Sequence, residues 1–173
     1  TLVPRERRLE VDGRIDATGA VLAPLDPDQV RQVARTLSDQ FDVQAIAIGL
    51  MHAYANPAHE QAVALIVAEE CPGIPLTLSS AIAPEIREFE RISTACANAY
   101  VQPLMRGYLT ALEQQLKTLG IRAPLFVMLS GGGIATVAQS VQHPIRLIES
   151  GPAAGAMAAC HYGRQLCEPD LIS

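Results

Sequence analysis

Val43-Gln44-Ala45-Ile46-Ala47-Ile48-Gly49-Leu50 is the stretch on which the reading of this chain turns. It is nearly continuous in apolar residues, too short for an independent buried helix, and rich in β-formers. It therefore predicts a central strand covered on both faces. Moving outward, Asn56-Pro57 places an N-cap and a first-position proline before a helical run that lasts to Glu70, where Pro72-Gly73 stops it. Ile74 to Leu78 is a second strand. Strand, helix, strand in that order predicts a parallel pair with a right-handed crossover.

Upstream, Asp26-Pro27 opens another helix by the same device. Val30, Val33, Ala34 and Leu37 follow at i, i+3, i+4 and i+7, a stripe to be buried. Arg8 to Arg14 and Ala20 to Leu25, punctuated by Asp12-Gly13 and Thr18-Gly19, predict a hairpin. Downstream, Pro84 to Leu119 reads as helix, ended by Gly120, with a kink or break expected near Val101 because Pro103 cannot donate to the preceding turn. Leu125 to Leu129 reads as a third core strand, followed by a short helix around Ala135 to Val141. A strand around Ile145 to Ile148 and a helix from Pro152 to about Leu166 complete the chain. The alternation predicts an α/β protein with a mainly parallel sheet flanked by helices. Val33, Leu37, Ile46, Ile48, Ile66 and Leu125 are its expected core.

The chain has 173 residues, 49% of them hydrophobic, enough for one domain or two small lobes around a core. A net charge of −5 without a Lys/Arg cluster argues against a nucleic-acid or anionic-membrane surface. No apolar run approaches the ~18–20 residues that span a bilayer. The first residues, Thr1-Leu2-Val3-Pro4-Arg5, carry no signal-peptide core and no initiator Met, so a cytoplasmic location and an excised piece are the expectations. Cys71, Cys96, Cys160 and Cys167 form no C-x-x-C pair and are expected as buried, reduced thiols. His52, His59, His143 and His161 show no zinc spacing, so no metal site made of protein side chains is expected.

Two glycine-bearing loops could act through backbone geometry. Ser130-Gly131-Gly132-Gly133 directly follows a strand; its amides either approach a ligand closely or form an ordinary strand-to-helix turn. Ser150-Gly151-Pro152-Ala153-Ala154-Gly155 opens a helix, with Ser150 as its expected cap. Its first-turn amides suit an anion, or its small residues serve close helix packing. Neither loop matches the common nucleotide fingerprints. Between them in kind lies the stretch from Pro84 to Asn98, with Glu85, Arg91, Thr94 and Asn98 as its polar residues of interest. Thr94 and Asn98, four apart, share a helix face that packs on backbone, looks into a cleft, or is solvated; a solvated face is the expectation.

Several of these segments together resemble the ATP-dependent hydantoinase/5-oxoprolinase family, that of N-methylhydantoinase and the hydantoin-utilisation A-type subunit. They are Val43 through Glu60, Leu78-Ser79-Ser80, Ala83 through Arg91, Asn98 through Pro103, Ser130 to Gly133 and Ser150 to Gly155. Two departures stand out. The family's serine–asparagine–glycine–glycine is Ser130-Gly131-Gly132 here, and Ala81 stands where the family usually has Glu.

The resemblance implies a lobe of an actin/Hsp70/hexokinase-like, ribonuclease H-like fold. It divides the chain into an N-terminal α/β portion, residues 1–83, and a helical segment leading into the second lobe, residues 84–173. It implies an enzyme that uses ATP and Mg²⁺ to open a cyclic amide such as hydantoin, N-methylhydantoin or 5-oxoproline, with ketone carboxylases among its relatives. A second hydantoinase-type subunit or domain is the implied partner. Ser130, Gly131, Gly132, Gly133, Ser150, Gly151, Pro152 and Gly155 become candidates for the nucleotide cleft, and Glu85, Arg91, Thr94 and Asn98 for the substrate side. No catalytic residue is assigned. The family's two Asp-x-Gly-Gly-Thr phosphate loops do not occur in this sequence, so the chain alone is expected to bind no cofactor tightly and to be inactive. A scaffold or subunit-contact lobe is the alternative.

Overall fold

The computed structural model describes residues 2–166. Backbone packing divides the chain into two compact units, meeting at Pro103 and Leu104.

In the first unit, β1 (Arg14–Ile15) and β2 (Val21–Ala23) form the expected antiparallel hairpin. Its turn is held by Asp16, whose Oδ1 accepts from the amides of Thr18 and Ala20 at 2.8 and 2.9 Å. Helix α1 (Pro27–Phe41) starts as predicted, with Asp26 accepting from the amides of Asp28 and Gln29. Strand β3 (Ile46–Ile48) follows, then α2 (Ala58–Glu70), then β4 (Leu76–Leu78). Helix α2 begins one residue later than expected. Asn56 still serves it, accepting from the Ala58 amide at 3.0 Å while its Nδ2 donates to Gly19 O at 2.8 Å.

Strands β3 and β4 pair in parallel, Ile46 opposite Leu76 and Ile48 opposite Leu78. Helices α1 and α2 pack together, and Val30, Ala34, Ile46, Ile48, Val63, Val67 and Cys71 form the core between helices and strands. Leu37 and Ile66 flank that core half-buried rather than sitting inside it, and Val33 is half-buried as well. Helix α3 (Ser79–Ile82) is a single turn after β4.

Helix α4 (Glu88–Thr118) is continuous through Pro103, so of the expected kink or break the break is absent. One missing amide removes a single bond from a 31-residue ladder, which the remaining turns tolerate. Its end is a Schellman closure. Ile121 N donates to Leu116 O and Gly120 N to Lys117 O, both at 3.0 Å, with Gly120 at φ 82°.

The second unit holds β5 (Phe126–Met128), β6 (Ile134–Thr136), α5 (Val137–Gln142), a 3-10 turn (Pro144–Leu147) and α6 (Ser150–Leu166). Three expectations are corrected here. Strands β5 and β6 are antiparallel, so among the described residues only β3 and β4 pair in parallel, and the sheet is not mainly parallel. The link Leu129–Gly133 is too short for a parallel crossover, which needs a dozen or more residues. The strand expected at Ile145–Ile148 is instead the 3-10 turn, since Pro144 fixes a helical φ at its start. The short helix starts at Val137, because Ala135 belongs to β6 and Thr136 forms a capping box with Gln139. Leu125 is half-buried beside β5. No helix among the described residues is long and apolar enough to cross a membrane.

Of the thiols, Cys71 is buried, as expected, whereas Cys96 is half-buried and Cys160 is exposed on α6. Burial pushes both the Cys71 and the Cys96 thiol above the usual range. Cys167 lies outside the described residues.

Candidate functional site

At the carboxyl ends of β3 and β4 a polar group is buried where open α/β sheets commonly place their sites. Its centre is Glu60, on the first turn of α2 and fully buried. Glu60 shares a helix face with Val63, Val67 and Cys71, and that packing draws its carboxylate inward. Oε1 accepts from Leu50 N at 2.9 Å and Ser79 Oγ at 2.5 Å; Oε2 accepts from Ser80 N at 2.9 Å and Ser80 Oγ at 2.7 Å. A buried carboxylate is tolerated only with such compensation.

Arg91, in the first turn of α4, is also fully buried. It donates through Nε to Ser79 Oγ at 3.0 Å, through Nη1 to Glu85 O at 3.1 Å, and through Nη2 to Leu50 O at 2.7 Å. Its guanidinium carbon lies 5.7 Å from the Tyr54 ring centre. About two turns further along the same face, Asn98 Nδ2 donates to Thr77 Oγ1 at 2.9 Å, and that hydroxyl donates to Gln102 Oε1 at 3.4 Å. Backbone approach is close here: a Cβ at Gly49 would lie 2.7 Å from Ile92 Cγ1.

This overturns the solvated-face expectation for Thr94 and Asn98, since Asn98 is fully buried, while Pro84 to Arg87 remain exposed. The face that turns inward carries Arg91, Ala95, Asn98 and Gln102, at i, i+4, i+7 and i+11. Thr94 sits at its margin, half-buried, donating back to Glu90 O at 2.7 Å. Glu85 is exposed and contributes its carbonyl. Glu85, Arg87 and Glu90 stay outside, Arg87 pairing with Glu90 at 3.3 Å; Arg91 alone turns fully inward, where backbone carbonyls and a serine supply the missing solvation.

At the rim of this group His52 adopts φ 56°, left-handed for a non-glycine residue. Its Nδ1 stands 3.7 Å from Glu88 Oε1, and both atoms are buried without a hydrogen bond. The amides of Glu88 itself and of His52, with the nearby Arg91 charge, hold the Glu88 carboxyl below its usual range against the opposing effect of burial.

The second unit gathers both glycine loops. Ser130–Gly133 is the turn of the β5–β6 hairpin, not a strand-to-helix link: Gly132 N donates to Leu129 O at 2.9 Å and Leu129 N to Gly133 O at 2.7 Å. Gly132, at φ 82°, is pressed against α6, where a Cβ would lie 2.8 Å from Met157 Sδ. Ser130 donates from N and Oγ to Arg146 O at 2.8 and 3.0 Å, tying the turn to the segment just before α6. Helix α6 begins at Ser150 itself, so Ser150 is its first helical residue and not the cap; Glu149, at φ 61°, precedes it. Gly151, Pro152 and Gly155 are exposed on its first turns. A Cβ at Gly131, Gly151 or Gly155 would meet nothing within 4 Å, so close packing does not explain those three glycines.

Sequence reading missed Glu60, Ser79 and the His52–Glu88 contact. The signal for Glu60 was present: a glutamate on the stripe of Val63, Val67 and Cys71. Ser79, His52 and Glu88 fall inside the family-like segments, but nothing there singles them out, and their contacts depend on how β3, β4 and α4 converge. A shallow depression lined by Asp28, Arg31, Gln32 and Arg35 on α1 involves none of these residues.

The chain is thus an α/β protein with one satisfied polar group beneath its parallel strands and a glycine hairpin seated on its last described helix. The profile of the hydantoinase/oxoprolinase N-terminal region matches residues 1–71, and that of hydantoinase/oxoprolinase matches residues 91–173. The chain belongs to the hydantoinase/oxoprolinase family. It is similar to an uncharacterised protein of Methanocaldococcus jannaschii, 36% identical over 99% of this chain and 25% of that one. It is also similar to the caprolactamase alpha subunit of Pseudomonas jessenii, 32% identical over 91% of the chain and 22% of the subunit. A crystal structure of that organism's ATP-dependent caprolactamase matches with a TM-score of 0.85 at 32% identity, over 94% of this chain and 24% of its own. The nucleotide-free structure of acetone carboxylase matches with a TM-score of 0.77 at 31% identity, over 90% and 22%. The chain therefore spans about a quarter of the length of these relatives.

Proposed function

We propose that this chain is part of an ATP-dependent enzyme that opens small cyclic amides of the hydantoin, N-methylhydantoin or 5-oxoproline type. Family membership along both halves of the chain carries the reading, supported by the likeness to a caprolactamase described as ATP-dependent. ATP, when bound, supplies the phosphoryl group that turns a poor amide electrophile into one with a good leaving group.

Ser130, Gly131, Gly132 and Gly133, with Ser150, Gly151, Pro152 and Gly155, are the residues proposed to face the nucleotide. The open space at Gly131, Gly151 and Gly155 supports this, since phosphate oxygens need bare backbone to approach. Helix α6 is long enough to present a positive dipole end there. Among the described residues no three His, Cys, Asp or Glu side chains gather, and no step is assigned through the metal. Arg91 and Asn98 shape the first unit from within, which leaves Glu85 and Thr94 as the substrate-side candidates nearer the surface.

An actin-like lobe organisation belongs to the same proposal, with residues 1–83 as one functional portion and 84–173 leading into the second. So does a protein partner, since the relatives include proteins named as subunits. A carboxylase is the second reading, favoured by the likeness to acetone carboxylase. The test is phosphate release by the longer polypeptide containing these residues, supplied with hydantoin, 5-oxoproline, or acetone with bicarbonate. Release coupled to ring opening is expected. Release with the ketone alone would replace the first reading by the second, and release with none of them would leave a scaffold role.

A further inference from the structure

His52 and Glu88 hold the two polar atoms of the first unit that are buried and unbonded yet face each other, Nδ1 and Oε1 at 3.7 Å. Neither atom is reached by water; the Glu88 carboxyl also draws on the amides of Glu88 and His52 and on Arg91, while Nδ1 has Glu88 Oε1 as the acceptor it faces, with Nδ1 carrying the proton. Three features set the ring for this. The turn after β3 places His52 at φ 56°, a conformation held against its intrinsic preference. Tyr54 meets the imidazole edge-on at 6.0 Å and is itself covered by Arg91. Arg91 Nη1 lies 3.9 Å from Glu88 Oε1, keeping the carboxylate ionised and aimed inward. The His52 side chain nevertheless keeps 20% of its surface exposed, and Nε2, unlike Nδ1, is not among the buried, unbonded atoms.

We propose that His52 and Glu88 form a carboxylate–imidazole dyad whose unprotonated Nε2 is a base that accepts a proton from a neutral N–H or O–H donor. Glu88 is a positioning residue: it fixes the tautomer and stabilises the imidazolium once the proton arrives, as a carboxylate behind a catalytic histidine does. The 3.7 Å separation shortens to a hydrogen bond when the donor binds, since catalytic contacts are commonly long before ligand arrives. Water and the ring N–H of a cyclic amide are the two sources of such a proton. The dyad stands on the first unit's geometry and does not depend on the activity proposed above.

The test uses this chain with nitrogen-15 histidine. Long-range proton–nitrogen spectra are expected to show His52 protonated at Nδ1 and bare at Nε2. Diethyl pyrocarbonate, which Nε2 attacks with loss of ethanol and carbon dioxide, is expected to modify His52 at least tenfold faster than the exposed His161, and Glu88→Ala should bring the two rates together. Protection by hydantoin but not by 1,3-dimethylhydantoin assigns the donor as a ring N–H; protection by neither assigns water. A wild-type His52 protonated at Nε2, or acylated no faster than His161, overturns the proposal and leaves the pair as a brace between the turn and α4. The wild-type spectrum decides this even if Glu88→Ala does not fold.

Discussion

Arg91 and Glu60, both fully buried and 31 positions apart, are joined through a single hydroxyl: Arg91 Nε donates to Ser79 Oγ at 3.0 Å, and Ser79 Oγ donates to Glu60 Oε1 at 2.5 Å. The two charges compensate without touching. Each spends its other bonding capacity on backbone groups of the β3 and β4 ends and on Ser80, so the linkage locks helix α2, both strand ends and the start of α4 together.

Removing one charge should therefore cost more than removing the hydroxyl. Glu60→Ala leaves a buried guanidinium, the buried Ser79 and the half-buried Ser80 uncompensated, and should destabilise the chain by about 3–5 kcal/mol. Ser79→Ala should cost about 1–3 kcal/mol. Urea unfolding monitored by circular dichroism measures both; equal losses would mean the charges are not coupled through Ser79.

Strand β3 should be sensitive in two different ways. Ile48→Ala leaves a cavity in a strand packed on both sides and should cost about 2–5 kcal/mol. Gly49→Ala drives a methyl to within 2.7 Å of Ile92 Cγ1, and overpacking there should cost about 1–3 kcal/mol. A double variant Gly49→Ala/Ile92→Ala that recovers stability relative to Gly49→Ala would identify the clash as the cause.

The second unit should lose stability in mild acid. Burial, followed by the nearby Arg146 charge, holds the His143 imidazole below its ordinary 6.5, and Nδ1 is buried without a partner. Below 6.5 the unfolded chain takes up a proton that the folded unit resists, so stability is full above that pH and falls as the pH drops toward the folded value. Amide exchange across α5 from pH 7.5 to 5.5 should show protection declining in the wild type. His143→Gln should flatten that slope; an unchanged slope would place the titration elsewhere.

Two glycines of the second unit should behave oppositely. Gly132→Val meets both a positive φ and Met157, and should lower the melting temperature clearly. Gly151→Val enters open space and should leave folding intact, while depressing turnover in the longer polypeptide if phosphate approaches there. A folded Gly151→Val enzyme with normal turnover would remove that loop from the nucleotide proposal.

The chain by itself should bind ATP no more tightly than the millimolar range, about −4 kcal/mol. Isothermal calorimetry showing micromolar affinity would mean that the glycine hairpin and α6 suffice without the Asp-x-Gly-Gly-Thr loops.

The sequence by itself determined the elements whose signals are local. Asp26-Pro27 set the start of α1, Gly120 the end of α4, and the apolar run at Ile46–Ile48 with the strand–helix–strand order set the parallel pair, because caps, glycine φ and short-range periodicity act within a few residues. Family membership was legible for the same reason, as a string of short motifs. What only the tertiary structure decided was anything requiring distant segments to meet. The five residues Leu129–Gly133 read as a glycine loop, but only the pairing of β5 with β6 made it a hairpin turn. The polar face of α4 looked fit for solvent, because burying Arg91 is costly in isolation. Leu50 and Ser79, 41 and 12 residues away along the chain, turn that cost into satisfied hydrogen bonds once β3 and β4 converge on α4.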